Sequence, residues 1–377
     1  MASAAELAIL LKAHGVDKTK KDLEDVGHSG SRMGDLVHAG GMMAVAGLAA
    51  VGAGLVASIS AAAGFEQQMS AVKAVSGASG DEMKQLSSLA LQLGKDTSFS
   101  ASEAAKGIEE LVKGGVSVAD IMGGAALASL NLAAAGGVDL ATAAEIAANA
   151  MAMFGLSGAD MAMVSDQIAG AANASSLSVM DFKLSLSAVG AVANLAGQSF
   201  EDTATAIALM GAAGIKGSDA GTSLKTMLMN LIPTTKTQTQ AMTELGLLTR
   251  EGGNAFLDAE GNFKSLRDIS GSLNTALEGL SESQKMVKLE AMFGSDAIRA
   301  GAIISKAGAE GFDAMAASMA KVTAAGVAAE KLDNVLGSIE QLKGSIETAA
   351  IMLGTIFLPF VKQVVDGLTA FVNTAVI

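Results

Sequence analysis

The sequence predicts an all-α protein, and three observations carry that prediction. Only two of its 377 residues are Pro, there is no Trp, Tyr or Cys, and half of the chain is hydrophobic. Ala, Leu and Met are abundant in that half, and these are helix formers rather than strand formers. A start signal, Ser followed three residues later by an acid or Gln, recurs along the chain. Between these signals the apolar residues fall three and four apart, the period of one helix face. The 44 Gly read as punctuation between short helices.

Residues 1–38 hold all three His (His14, His28 and His38) and a mixed-charge stretch from Asp17 to Asp25. Ala4 to Ala13 reads as a helix stopped by Gly15, and Asp17 to Val26 as another. From Ala39 to Phe65 there is no charge. As a helix that run is about 40 Å long, enough for a bilayer core of about 30 Å. Ala46, Ala50, Gly54, Ser58 and Ala62 recur every fourth residue. They form a ridge of small side chains that lets helices approach closely, in lipid or in a tight bundle. The run has more Ala and Gly than Leu and Ile. Two readings stand: a helix buried in an oligomeric bundle, or one that inserts in a membrane. A cleavable leader is disfavoured, because the apolar run starts late and follows Asp and Glu.

Residues 66–330 read as a mosaic of short helices. The start signals are Ser79-x-x-Glu82, Ser100-x-x-Glu103, Ser117-x-x-Asp120, Ser157-x-x-Asp160, Ser178-x-x-Asp181, Ser199-x-x-Asp202 and Ser281-x-x-Gln284. In each, the hydroxyl can take an orphan N–H while the acid sits on the positive helix end. Gly94, Gly114-Gly115, Gly136-Gly137, Gly155, Gly197 and Gly214 fall where these helices should stop. One predicted buried face holds Ala101, Ala104, Ala105, Ile108, Leu111 and Val112; another holds Leu140, Ala144, Ala147, Met151 and Phe154. Two blocks echo each other 78 residues apart: Ser79-Gly80 and Met83 with Ser157-Gly158 and Met161, then Ser98-Phe99-Ser100 with Ser176-Leu177-Ser178. That is either an old duplication or shared capping grammar.

Phe256 to Lys264 breaks the helical period, and its Asp258, Gly261 and Asn262 read as a small hairpin or tight turn. Ala328 to Ala350 reads as one longer helix. Thr348 to Val361 is uncharged, too short to span a bilayer, and interrupted by Pro359. The chain is apolar again from Leu368 to its last residue, Ile377, which suggests the first part of a longer protein.

The composition also excludes functions. Without Cys there is neither a disulfide framework nor a thiolate metal site. A net charge of −13 without Tyr or Trp argues against direct nucleic-acid recognition, which needs phosphate-neutralising cations and stacking platforms. A mean hydropathy of +0.44 points to membrane-competent stretches or to burial in an assembly. Gly52-x-Gly54-x-x-Ala57 matches a dinucleotide fingerprint but has no strand before it. Gly211 to Ser218 has the wrong order for a phosphate loop and reads as a helix stop followed by a Ser cap at Ser218. The His lack metal-ligand spacing, and no nucleophile elbow is present. No catalytic residue, cofactor site or metal site is expected, and nothing supports an enzyme.

The mosaic resembles the shared core region of tape-measure proteins of long-tailed bacteriophages and prophages. The resemblance runs in order over about residues 65–300. It starts at Phe65-Glu66-Gln67-Gln68-Met69-Ser70 and passes Thr97-Ser98-Phe99-Ser100-Ala101-Ser102-Glu103. It continues through Val179-Met180-Asp181-Phe182. Its most specific stretch is Gly214-Ile215-Lys216-Gly217-Ser218-Asp219-Ala220-Gly221-Thr222-Ser223-Leu224. It ends on Phe293-Gly294-Ser295-Asp296-Ala297. Such proteins usually continue well beyond this length.

The resemblance implies a protein that runs as several copies inside the tail tube, fixes tail length during assembly, and leaves ahead of the DNA at infection. It implies as partners other copies of the chain, the tail tube protein, tail-tip or baseplate proteins, tail-assembly chaperones and the host membrane. The segments expected on this basis are 1–38, helical; 39–64, the apolar helix; 65–330, the core; and 331–377, a long helix and apolar end. The alternative is a membrane-inserting pore or translocation protein that uses its apolar helices.

Overall fold

Most helices begin where a side-chain oxygen accepts from their unpaired first-turn N–H groups. The computed structural model describes residues 41–249 and 252–375. Its regular structure among these residues is helical: α1 is Gly41–Ser76, α2 Gly80–Asp96, α3 Ala101–Lys113, α4 Ala126–Gly136 and α5 Leu140–Phe154. A turn at Val118–Asp120 and a π-turn at Ile121–Ala125 lead into α4. Then come α6 Met161–Ala174, α7 Val179–Leu195, α8 Phe200–Ala212, α9 Gly217–Met229 and α10 Lys236–Glu244. The last are α11 Leu266–Ala276, α12 Glu282–Phe293, α13 Ile298–Met319, α14 Ala324–Leu332 and α15 Val335–Ala375. The two helices expected within residues 1–38 lie outside the described residues.

All seven Ser of the start signals stand immediately before a helical turn. Ser79, Ser100, Ser178 and Ser281 form full capping boxes, in which the third residue's side chain returns a bond to the Ser backbone. Ser157 caps a single 3₁₀ turn, Gly158–Asp160, rather than an α-helix. Asp202 does not return its bond to Ser199, though Ser199 Oγ accepts from the Asp202 N–H at 3.0 Å. Further side-chain caps stand at Asp139, Thr235, Ser265, Thr323 and Asn334.

The predicted faces are buried. Ala101, Ala104, Ala105, Ile108 and Leu111 of α3 and Leu140, Ala144, Ala147 and Met151 of α5 are buried, with Val112 and Phe154 packed at the edge. One hydrophobic core extends from Phe65 of α1 to Ile351 of α15. Within it α3 packs on α2 and α5, α7 on α9, α4 on α14, and α11 on α13.

Helices recur at the 78-residue offset of the sequence echo. Shifted by it, α3 falls on α7 and α5 on α9, while α2 falls on the 3₁₀ turn plus α6. The junctions match atom for atom. Thr97 Oγ1 donates to Leu93 O at 2.7 Å and accepts from the Phe99 N–H at 3.3 Å. Ser175 Oγ donates to Ala171 O at 2.6 Å and accepts from the Leu177 N–H at 3.2 Å.

Four expectations are corrected. Gly94 does not stop a helix but lies buried in the last turn of α2. A methyl group there would stand 2.3 Å from the Ala101 backbone nitrogen, so Gly serves close packing. Ala328 to Ala350 is not one helix. Asn334 breaks it and restarts α15, its Oδ1 accepting from the Gly337 N–H at 3.0 Å. The stretch from 348 to 361 is part of a helix that continues through Pro359. From Val335 to Gly367 that helix is long and apolar enough to cross a membrane, by length and composition. Ser218 is not a cap, because α9 begins at Gly217 with Lys216 in the capping position.

The turn expected at 256–264 is present as one antiparallel bridge, Leu257 with Phe263. Asp258 Oδ1 accepts from the backbone N–H groups of Glu260 and Asn262, so an Asx turn stands in for strand pairing.

Candidate functional site

The most specific stretch of the sequence, Gly214 to Leu224, folds into an interlock of α7, α9 and α13. Gly214 ends α8 at φ +86°, and Gly217 opens α9 at φ +59°, a left-handed conformation that side chains disfavour. Between them Lys216 reaches back to donate to Ser176 O. Ser185 of α7 is fully buried, its Oγ 2.8 Å from Gly217 O and 2.9 Å from Asp181 O. One hydroxyl proton thus serves both carbonyls and ties the start of α9 to α7. One turn further, Gly221 meets the backbone of α7 directly: a Cβ there would lie 2.2 Å from Ser185 O and 2.8 Å from Ala188 Cβ.

The other side of α9 holds α13. Buried Ser223 donates to Asp296 O at 2.9 Å and accepts from the Ala300 N–H at 3.2 Å. Its hydroxyl therefore satisfies groups at the start of α13. Arg299 forks onto both carboxylate oxygens of Asp219, which holds that carboxyl below its usual range. Asn230, at the end of α9, donates to Phe293 O at 3.0 Å, and Gln238 donates to Met292 O at 3.2 Å. Phe293 is buried against Gly301, and Gly294 turns the chain out of α12 at φ +75°. Asp181 closes the capping box of α7. Hydrogen bonds from the Ser178 backbone and hydroxyl, then the charge of Lys216, hold its carboxyl below the ordinary Asp value.

A related tie joins α11 to α13. Gly308 kinks α13 at φ +61°. The carbonyls one turn earlier, Ile304 and Ser305, accept from Ser270 Oγ at 2.6 Å and Asn274 Nδ2 at 2.9 Å.

The interlock therefore brings together Asp181, Gly214, Gly217, Gly221, Phe293 and Gly294. Ser218 and Thr222 lie on the exposed side of α9. A second group gathers elsewhere. Phe65 is buried in the core, and Glu66 pairs with Lys362 of α15 at 3.4 Å. Ser100 and Glu103 cap α3, while the Phe99 carbonyl presses on Gly344 of α15. Of the small-residue ridge, Gly54 is exposed, Ser58 donates to Gly54 O at 2.9 Å, and Ala62 is buried. The side chains of Ala46 and Ala50 lie outside the described residues. Ser185, Asn230 and Arg299 carry no motif in the sequence, whereas Gln238 closes a capping box with Thr235 whose signal sequence reasoning missed. For Ser185 the one available signal is a polar residue in the middle of an apolar helix face.

Among the described residues no cluster of three His, Asp or Glu stands ready for a metal. The fold is that of a helical protein, and the interlock residues hold its helices to one another. The chain belongs to the phage-related minor tail protein family, which it matches over residues 87–294. It is 35% identical over 325 residues, 84% of its length, to the tape measure protein of Pneumococcus phage Dp-1. It spans 27% of that protein's length. No solved structure matches the chain. The family is one of tail structural proteins, not a class of enzymes.

Proposed function

We propose that this chain acts in a phage or prophage tail as a tape measure: it lies in the tube lumen, sets tail length during assembly, and leaves at infection to help DNA pass the host envelope. The observation that carries this reading is the likeness to a tape measure protein over 84% of the chain. Helix rise supplies the mechanism, because about 1.5 Å per residue converts residue number into length. The partners in this reading are further copies of the chain, the tail tube protein, tail-tip or baseplate proteins and tail-assembly chaperones. Residues 39–64 serve as a bundling helix, with Ala46, Ala50, Gly54, Ser58 and Ala62 as its contact ridge. Residues 65–330 are the folded core, and the helix-by-helix recurrence at 78 residues supports a duplication within it. The motif residues hold that core together and perform no chemistry. The test is tail length in virions carrying in-frame deletions of whole helical stretches. Tails should shorten in proportion to the residues removed; tails of unchanged length would overturn the reading.

A second reading, membrane insertion at infection, is favoured by α15. From Val335 to Gly367 that helix is apolar and only 17% of its most apolar window is buried. In this reading the purified protein makes liposomes leak. A Gly54→Asp variant should abolish leakage if residues 39–64 are the inserting segment, and unchanged leakage would remove that segment from the mechanism.

A further inference from the structure

α13 turns a corner in its middle. Gly308 has φ +61° and ψ −174°, with helix on both sides of it. That combination is open essentially to Gly alone. Helix kinks have few causes, and one is a side chain inserted into the i→i−4 ladder. Here that side chain is Asn274. Its Nδ2 donates to Ser305 O at 2.9 Å, and a Cβ on Gly308 would stand 3.1 Å from its Cγ. In a straight helix Ser305 O takes the Ala309 N–H; at the corner Asn274 supplies a donor to that carbonyl.

One face of α11 fills the inside of the corner. Ser270, fully buried, donates to Ile304 O at 2.6 Å. Gly271 lets the two helices close, since a Cβ there would stand 3.3 Å from Ala309 Cβ. Earlier in α11, Arg267 forks onto Asp313 at 2.6 and 2.7 Å, on the far arm of α13. The two arms belong to different neighbours. The arm before Gly308 is held by Ser223 of α9, which accepts from the Ala300 N–H at 3.2 Å, and its Gly301 lies on the Phe293 ring of α12. The arm after it ends on α6, where a Cβ on Gly170 would stand 2.6 Å from Met319 O. The angle at Gly308 therefore sets how the α9 and α12 side of the core meets α6.

We infer that Gly308 is a hinge and α11 its latch: α13 stays bent while Ser270 and Asn274 are seated, and becomes one straight helix when α11 lifts off. Two arrangements satisfy the same backbone. Bent, Ser305 O has the Asn274 amide; straight, the ladder across residue 308 regains the Ala309, Glu310 and Gly311 N–H groups as donors. Gly308 is the residue type that takes both conformations. The junction also lacks what fixed junctions in this chain carry. Ser100 and Ser178 cap the helices that follow them, whereas the arm after Gly308 starts on a residue with no side-chain oxygen. The hinge lets the core change shape with its helices intact, and it stands whichever role the chain has in the tail.

The absence of Cys lets two nitroxides be placed on Ala302→Cys/Ala317→Cys, exposed sites on either side of the corner. On a straight helix these sites are about 22 Å apart, and pulsed electron resonance on the otherwise unsubstituted chain should give a shorter distance. Gly308→Ala bars the corner conformation and suits a helix; Ser270→Ala/Asn274→Ala removes the latch. Each should move the distance to about 22 Å with helical circular dichroism unchanged. A distance that stays put in either folded variant makes the corner a fixed one and overturns the hinge, as does loss of the helical signal in both. Hydrogen exchange on the unsubstituted chain decides independently of the variants. The α11 amides should exchange about ten-fold or more ahead of those of α7 and α9, through a local opening. A single common rate for all three helices means that α11 leaves only when the core unfolds, and overturns the latch.

Discussion

A methyl group on Gly221 would stand 2.2 Å from the carbonyl oxygen of Ser185. That distance sets how closely α9 and α7 lie, and the closeness lets Ser185 Oγ reach Gly217 O at 2.8 Å. Two backbones in van der Waals contact leave no flexible side chain to move aside. Gly221→Ala should therefore destabilise the fold by about 1–3 kcal/mol, the usual cost of overpacking. Gly80→Ala, at the exposed start of α2 with nothing within 4 Å, should be neutral or slightly stabilising. Denaturant midpoints of the two variants check this, and equal midpoints would disprove the tight-contact account.

Ser223 and Arg299 both tie α9 to α13, but at different depths. Ser223 is fully buried, whereas the Arg299–Asp219 pair is about half exposed. An exposed ion pair contributes about 0–1 kcal/mol and less in salt. Losing a buried hydroxyl that serves two partners costs about 1–3 kcal/mol. Ser223→Ala should therefore lower stability more than Arg299→Ala, and 1 M salt should remove the Arg299 effect while leaving that of Ser223. Urea melts of the two variants at low and high salt measure both.

The caps predict a pH dependence. Hydrogen bonds from the Ser79 backbone and hydroxyl hold Glu82 below its ordinary pKa, and the Ser157 hydroxyl and backbone do the same for Asp160. Asp181 is lowered in the same way by Ser178. A carboxyl lowered by folding adds stability that is present above its ordinary pKa, near 4, and is lost as pH falls through the lowered value. Thermal melts should thus hold from pH 7 to 5 and drop below pH 4. Ser178→Ala should cost about 1 kcal/mol at pH 7 and less at pH 3, where Asp181 is being protonated.

The caps were legible because capping is local: Ser79 and Glu82 are three residues apart and need no knowledge of the rest of the chain. The buried face of α3 was legible for the same reason, since its period follows from helix geometry alone. What sequence reasoning missed depends on distance along the chain. Gly94 looks like a helix stop until Thr348 and Ala101 are brought against it. At the break, Asn334 accepts from the Gly337 N–H and donates to Lys331 O, two bonds that the apolar period on either side conceals. Within the interlock, the Gly214 to Leu224 stretch stood out from the sequence, but its partners Ser185 and Arg299 did not. A Ser on an apolar face and an Arg on a helix carry no local signal of what they hold.

Asp202 runs against the other caps and gives the last prediction. It stands third in α8 and is half-buried; desolvation, then the negative charges of Glu201 and Asp268, raise its pKa, and an N–H bond from Leu266 only partly offsets them. Folding therefore disfavours its charged form. The penalty is present above the raised pKa and disappears as pH falls below the ordinary value near 4. Asparagine has the same shape, can still accept from the Leu266 N–H, and leaves the Asp202 backbone N–H bonded to Ser199. Asp202→Asn should raise Tm by about 1–2 °C at pH 7, and the gain should vanish by pH 3. A variant less stable than the parent at pH 7 would mean that the carboxylate contributes more through Leu266 than burial and its acidic neighbours take away.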